Sequence, residues 1–295
     1  MSAGLARLWC EPTVLLDGGM GSALIARGLT AGGCSELWNV ERPDDVLAVH
    51  AGYLAAGSVA IQTNTFGGSA LALASHGLAS EMEALNRAGA CIARRAVEKH
   101  GAAGRIVAGN IGPSGRFLPP VGDADPDELT DAFAAQAAAL SAAGVDYLAI
   151  ETMVDIEEAL CALRGARRAT DLPVTVCLTF EKRPRGFFTV MGNSLQKAAR
   201  ILADAGADAV GANCSIGSDA MLEACPLLSE ASPVPVIVKP NAGLPEMKDG
   251  RPAYRQSPED FARDVAAMAR LGARAVGGCC GTDELFIAAL AKELA

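Results

Sequence analysis

Eight short apolar runs punctuate the chain. They are TVLLD (13–17), VAIQT (59–63), RIVAGN (105–110), DYLAIE (146–151), VTVCLT (174–179), DAVGAN (208–213), VIVKP (236–240) and RAVGG (274–278). Each is rich in Val, Ile or Leu and too short for a helix, which is the pattern of parallel strands buried on both faces. Between them, helical spacing of apolar residues predicts helices over 44–56, 81–100, 126–142, 155–169, 194–205, 219–230, 258–271 and 283–294. Start signals support several of these. Ser257 precedes Pro258, Glu259 and Asp260, and Asp125-Pro126-Asp127-Glu128 opens another helix in the same way. A weak repeat marks the helix ends: Ala56-Gly57-Ser58-Val59, Ala143-Gly144-Val145-Asp146, Ala205-Gly206-Ala207-Asp208 and Leu271-Gly272-Ala273-Arg274 each place Gly where a left-handed cap is needed. Eight β–α units in 295 residues predict an α/β fold, a (βα)8 TIM barrel. With no linker-like stretch, one domain is expected over 1–295. An open doubly wound sheet is the alternative, and the lack of G-x-G-x-x-G after the first strand counts against it.

Composition changes this picture only in detail. Hydrophobic residues make up 51% but aromatics only 4%, so Ala, Val, Leu and Ile must fill the core. A formal charge of −9 argues against nucleic acid as a partner. No apolar run reaches the roughly 18 residues that span a membrane. The N-terminus, MSAGLARLWCEPTVLLDGG, lacks a signal-peptide core, so a cytoplasmic protein is expected. Nine cysteines do not suit a disulfide framework there. Cys91, Cys161 and Cys177 read as small buried hydrophobes, and Cys10, Cys34 and Cys225 as incidental. His50, His76 and His100 lie on or beside helices and read as surface or packing residues.

In such a barrel the site forms where strands end and βα loops begin. Those ends carry Asp17-Gly18-Gly19-Met20-Gly21, Gln62-Thr63-Asn64-Thr65-Phe66, Asn110-Ile111-Gly112-Pro113, Glu151-Thr152, Asn213-Cys214-Ser215, Lys239-Pro240-Asn241-Ala242-Gly243 and Gly277-Gly278-Cys279-Cys280-Gly281-Thr282. Helix capping explains some of these polar residues but not their arrival at one end of the barrel. Adjacent strand residues point to opposite faces, so Cys279 and Cys280 can share a metal only if the backbone turns sharply, which the flanking glycines permit. Cys214 ends the sixth strand, a near neighbour of the eighth. Three thiolates suit Zn2+, and three protein ligands leave a fourth position open, as in catalytic sites. Buried inert thiols and a redox vicinal pair remain as alternatives at this point.

The motifs LLDGGMGSAL (15–24), QTNTFGG (62–68), GNIGPSG (109–115), IETMVDIEEA (150–159), GANCSIG (211–217), KPNAGLP (239–245) and GGCCGT (277–282) occur in this order. From about residue 13 onward the chain resembles the homocysteine S-methyltransferases. That family includes the betaine and S-methylmethionine enzymes and the homocysteine domain of cobalamin-dependent methionine synthase. The resemblance implies a zinc-bearing barrel with Cys214, Cys279 and Cys280 as ligands. It implies that Asp17 and Glu151 hold the homocysteine amino group, that the amides of Gly18 and Gly19 receive its carboxylate, and that Asn213 and Asn241 sit in site loops, Asn241 being a candidate for the open zinc position. The implied reaction is attack of a homocysteine thiolate on an activated methyl group, giving methionine.

The segments GNIGPSGRFLPPVGDADPDEL and KPNAGLPEMKDGRPAY look most like the homocysteine domain of the cobalamin-dependent enzyme. The expected donor is therefore methylcobalamin carried by a separate corrinoid protein or domain. A small donor such as S-methylmethionine or betaine is the alternative, bound through aromatics drawn from Trp38, Phe66, Phe117, Phe180, Phe187 and Phe188. A non-catalytic zinc- or thiol-binding module is the third reading.

Overall fold

The computed structural model describes residues 12–248 and 251–295; Cys10 lies outside the described residues. Eight parallel strands form one sheet: β1 (Val14–Leu15), β2 (Ala60–Gln62), β3 (Ile106–Ile111), β4 (Tyr147–Met153), β5 (Val174–Leu178), β6 (Ala209–Gly217), β7 (Val236–Asn241) and β8 (Ala273–Val276). Their order is β1-β8-β7-β6-β5-β4-β3-β2, so the sheet curls until β1 and β2 face each other. That seam is closed without a regular ladder. Val59 N–H donates to Leu15 O at 2.7 Å, Ser58 Oγ to Leu16 O at 3.2 Å, and Gln62 N–H to the Asp17 carboxylate at 2.7 Å. A side chain from the strand end thus completes the barrel, and all eight predicted strands are present.

The major helices follow the prediction within a residue or two at each end: α1 (Pro43–Ala55), α2 (Met82–His100), α3 (Pro126–Ala142), α4 (Ile156–Ala169), α5 (Leu195–Asp204), α6 (Ser218–Ala231), α7 (Pro258–Arg270) and α8 (Glu284–Leu294). The predicted caps form: Asp125 Oδ1 accepts from Asp127 N–H, and Ser257 Oγ from Asp260 N–H. Gly57, Gly144, Gly206 and Gly272 all have positive φ, as the repeat required. Unpredicted elements sit in the βα loops. They are short helices at Met20–Ala26, Trp38–Glu41 and Ala70–Ala74, and hairpins pairing Glu181–Arg183 with Gly186–Phe188 and Glu246–Lys248 with Arg251–Ala253. No helix of the described residues is long and apolar enough to cross a membrane.

The barrel interior is plugged by Val14, Leu16, Ala60, Ile106, Ala108, Tyr147, Ala149, Cys177, Ala209, Ile237 and Ala275. A second, larger cluster fills the space between strands and helices. Cys161, Cys177 and Cys225 are buried, whereas Cys91 is exposed, contrary to the sequence reading. Cys91 lies on α2, where Ala90, Ile92 and Ala93 provide the inward face and residue 91 is turned to solvent. The packing reading of His50 holds: it is fully buried on α1, and neither ring nitrogen finds a partner among the described residues.

Burial pushes the His50 imidazole down to about 4. The unfolded chain, with its ordinary histidine near 6.5, then binds a proton more readily than the folded one. Stability is expected to fall as pH drops from about 6.5 to about 4, by about 3 kcal/mol from this group. Denaturant titrations of the wild type and His50→Leu check this. The variant should be the more stable at pH 5, and the gap should shrink toward pH 7.

Candidate active site

Side chains two apart on a strand share a face. Gln62, Asn110, Glu151 and Lys239 each lie two residues after a plug residue: Ala60, Ala108, Ala149 and Ile237. They therefore form a polar layer immediately above the apolar plug. Lys239 Nζ donates to Glu151 Oε2 at 3.0 Å and to Gln62 Oε1, and lies 3.8 Å from Asp17 Oδ1. Gln62 Nε2 donates to Glu151 Oε2 at 2.9 Å, and Asn110 Nδ2 to Glu151 Oε1 at 3.1 Å. Burial raises the Asp17 carboxyl to about 6, against the pull of Lys239 and the Gln62 N–H. Burial also opposes the charge on Lys239, but Glu151 and Asp17 outweigh it and hold the ammonium above its ordinary value.

The three cysteines stand above this layer. The Cys214 and Cys280 sulfurs are 3.8 Å apart, and all three Sγ atoms lie within 4.8 Å of one another. Sulfurs bonded at about 2.3 Å to a common tetrahedral centre are about 3.8 Å apart, so the donor set and its spacing fit Zn2+. Hydrogen bonds among the thiols pull both ways, Cys279 lowering and Cys280 raising Cys214, and Cys214 lowering and Cys279 raising Cys280. With burial added, Cys214 is pushed up to about 11 and Cys280 to about 12, and Cys279 is raised as well. Protonated thiols are the stable form of the metal-free cluster, and a divalent cation displaces those protons.

Local backbone geometry makes the cluster. Cys279–Thr282 is a tight turn closed by Thr282 N–H to Cys279 O at 3.2 Å, with Gly281 at φ 81°. That is the position of a type II turn that needs positive φ. It lets two consecutive thiols reach the same metal. Cys214 and Ser215 both sit at φ 59° and Thr152 at φ 64°. Left-handed backbone costs such residues about 1 kcal/mol or more each, so strain concentrates at this rim. Register shifts in β4 after Ile150 and in β6 after Asn213 accompany it. The turn is pinned from outside: Gly281 N–H donates to Ser22 Oγ at 2.9 Å, and the Tyr53 hydroxyl to Thr282 O at 3.1 Å. The LLDGGMGSAL and GGCCGT motifs are thereby locked together.

Gly281→Ala is expected to lower stability by roughly 1–3 kcal/mol, because the new methyl combines positive φ with a clash. It would fall 2.2 Å from the Tyr254 ring, displacing Cys280. Thermal melting and metal content measure the two effects.

One cavity of about 330 Å³ joins the polar layer to the cysteines. Its lining includes Asp17, Gly18, Gly19, Gln62, Phe66, Asn110, Glu151, Thr152, Lys239 and all three clustered cysteines. The family model described as homocysteine S-methyltransferase matches residues 14–294. The chain belongs to the homocysteine S-methyltransferase family. It is 33% identical over 293 residues to a methionine synthase of Mycobacterium tuberculosis and 32% identical to that of Mycobacterium leprae. These alignments cover 95% of this chain but 24% of each relative, so the chain spans about a quarter of their length. The homocysteine methyltransferase MmuM of Escherichia coli, in its metallated form, superposes with a TM-score of 0.80 at 26% identity, covering 95% of this chain and 96% of that one.

Within this barrel of the homocysteine S-methyltransferase family, the predicted residues divide into two groups. Asp17, Gly18, Gly19, Glu151, Cys214, Cys279 and Cys280 line the cavity, and Asn213 and Asn241 stand behind it. Asn213 Oδ1 accepts from Thr152 N–H at 2.8 Å, and its Nδ2 lies 3.8 Å from Cys279 Sγ. Asn241 Oδ1 accepts from Cys280 N–H at 3.1 Å, which ties it to the cysteine backbone rather than to the open metal position. The Gly19 N–H is engaged by Thr282 O at 3.1 Å and Oγ1 at 3.2 Å, so it is not free for a substrate carboxylate. Sequence reasoning placed Gln62, Asn110 and Lys239 among the polar strand ends but gave them no role in the site. The two-residue alternation from the apolar plug was the signal that marks them.

Proposed function

We propose that this chain methylates homocysteine to methionine, with zinc held by Cys214, Cys279 and Cys280 and the methyl group delivered by a methyl-corrinoid on a separate protein or domain. The observation that carries this reading is a single cavity with three clustered thiols on one wall and a buried carboxylate on another. Zinc bound there supplies Lewis acidity that holds a fourth, incoming thiol as its thiolate at neutral pH.

The rest of the work falls to the chain. Asp17 and Glu151 form the acidic wall toward which the substrate ammonium is drawn. The substrate carboxylate lies at the Gly18 amide and the first amides of Met20–Ala26, the Gly19 N–H being held by Thr282. Asn213, through Thr152 and Cys279, and Asn241, through Cys280, hold the thiol cluster in place. These contacts act by positioning the sulfur for in-line attack rather than by proton transfer. The sulfur–methyl bond forms as the donor's bond to methyl breaks, and that bond's electron pair stays with the donor.

Three features support a corrinoid donor. The relatives at 32–33% identity are methionine synthases. Phe66 is the one aromatic residue lining the cavity among the described residues, too few for a cage around a quaternary ammonium. Of the other aromatic candidates, Trp38, Phe180 and Phe187 are buried. The third is an exposed apolar rim of Phe66, Phe117, Val121, Val190 and Leu244 on the βα loops, suited to a large partner. The test is a panel of zinc-loaded protein and homocysteine with methylcobalamin, S-methylmethionine or betaine, read by methionine formation. Methylcobalamin should be the productive donor. Methionine from a small donor alone would overturn the donor assignment, and none from any donor would leave a zinc- or thiol-binding module.

A further inference from the structure

Glu151 and Asp17 are not equivalent carboxylates. Both Glu151 oxygens are already supplied with donors: Oε2 by Lys239 and Gln62, Oε1 by Asn110. Asp17 Oδ2 accepts from Gln62 N–H, but Oδ1, although buried, has no hydrogen-bond partner among the described residues. Asn110 Oδ1 is likewise buried without a partner, because its amide nitrogen is turned to Glu151. Buried acceptors left open are rare in folded proteins and need a reason. Lys239 is 3% exposed and sits at 3.0 Å from one carboxylate and 3.8 Å from the other. Two carboxylates and one ammonium leave this subsite with one net negative charge, which a single α-ammonium would neutralise.

We infer that Lys239 is the positioning residue of the amine subsite: it takes Glu151 as its own counter-ion and thereby reserves Asp17 Oδ1, with Asn110 Oδ1, for the substrate's ammonium group. This rests on the proposed homocysteine reading of the cavity and redistributes its roles. Glu151 acts through Lys239 and Asn110, and Asp17 is the carboxylate that meets the ligand. If the Glu151 charge is removed, the Lys239 ammonium is left with Asp17 as its remaining anion and competes with the substrate for it.

A double-variant cycle tests this on zinc-loaded protein, with homocysteine affinity from calorimetry and KM and kcat from turnover. Glu151→Gln should weaken homocysteine binding about 100-fold, the scale of one charge-assisted hydrogen bond. Adding Lys239→Met should bring affinity back to within about tenfold of wild type, because the net charge returns to one negative and Asp17 is freed; kcat should change less than KM throughout. A double variant that binds no better than Glu151→Gln would overturn the inference, since Glu151 itself would then hold the amine. Thermal melting of the zinc-free proteins gives a second readout. The two single losses in Tm should exceed that of the double variant, and additive losses would overturn the pairing. Glu151→Gln with Lys239→Gln serves the same cycle should the methionine variant fail to fold. 4-Mercaptobutyrate, which lacks the amine, separates this inference from the reading beneath it. Wild type should bind it about 100-fold more weakly than homocysteine. Equal binding would overturn both, whereas a failed cycle with the preference intact overturns only the role of Lys239.

Discussion

Cys279→Ser is expected to lose both the bound metal and the methyl transfer. Serine places a neutral hydroxyl where a soft anionic donor is required, and the remaining two sulfurs cannot complete the set. Cys279 is also the thiol that Asn213 approaches at 3.8 Å, so its loss removes one of the contacts between the β6 and β8 rims. Loss of an outer contact to a ligand costs about 10–100-fold in metal affinity or activity, and loss of a ligand itself should exceed that, with activity down about 1,000-fold or more. Metal content after gel filtration and methionine formation measure the two effects on one sample. A serine variant with full zinc and full turnover would remove the metal centre from the account.

The second large effect is expected at Asp17. Asp17→Asn keeps the shape and removes the charge, so KM for homocysteine should rise about 100-fold while kcat at saturation changes little. Its pH dependence carries a sign. Burial holds this carboxyl at about 6, with Lys239 and the Gln62 N–H pulling it down and Glu151 pushing it up. Below about 6 the free protein protonates Asp17 and loses the charge that attracts the ammonium. Homocysteine kcat/KM should therefore fall as pH drops below about 6, steeper in the wild type than in Asp17→Asn, in which that group no longer titrates. Matching acid limbs in the two proteins would assign the titration elsewhere.

The barrel was legible because its strands are buried on both faces. Runs such as RIVAGN and VIVKP cannot alternate apolar and polar residues when plug and helix layer both demand apolar side chains. What escaped sequence reading lies where that demand stops. The helices Met20–Ala26, Trp38–Glu41 and Ala70–Ala74 are too short for a full amphipathic period, and the hairpin at Glu181–Arg183 and Gly186–Phe188 is largely solvent-facing. Cys91 was misplaced because an apolar-looking stretch of α2 still has an outer face.

At the site, adjacent glycines announced the Cys279–Cys280 turn. The left-handed backbone of Thr152, Cys214 and Ser215 had no such signal, since none of these residue types favours it. Lys239 stood in plain view beside Pro240 and Asn241. A lysine at a strand end ordinarily reaches solvent, and only the inward register shared with Ile237 shows that this one points down the barrel. Asn241 shares that register, and its Oδ1 is engaged by the Cys280 N–H, a brace that sequence resemblance did not indicate.

X-ray absorption at the zinc edge tests the central claim most directly, on protein purified anaerobically and measured with and without homocysteine. The account predicts one zinc per chain with three sulfurs at about 2.3 Å, rising to four when homocysteine is added. A zinc site with fewer than three sulfurs, or one whose sulfur count does not change with homocysteine, would contradict it.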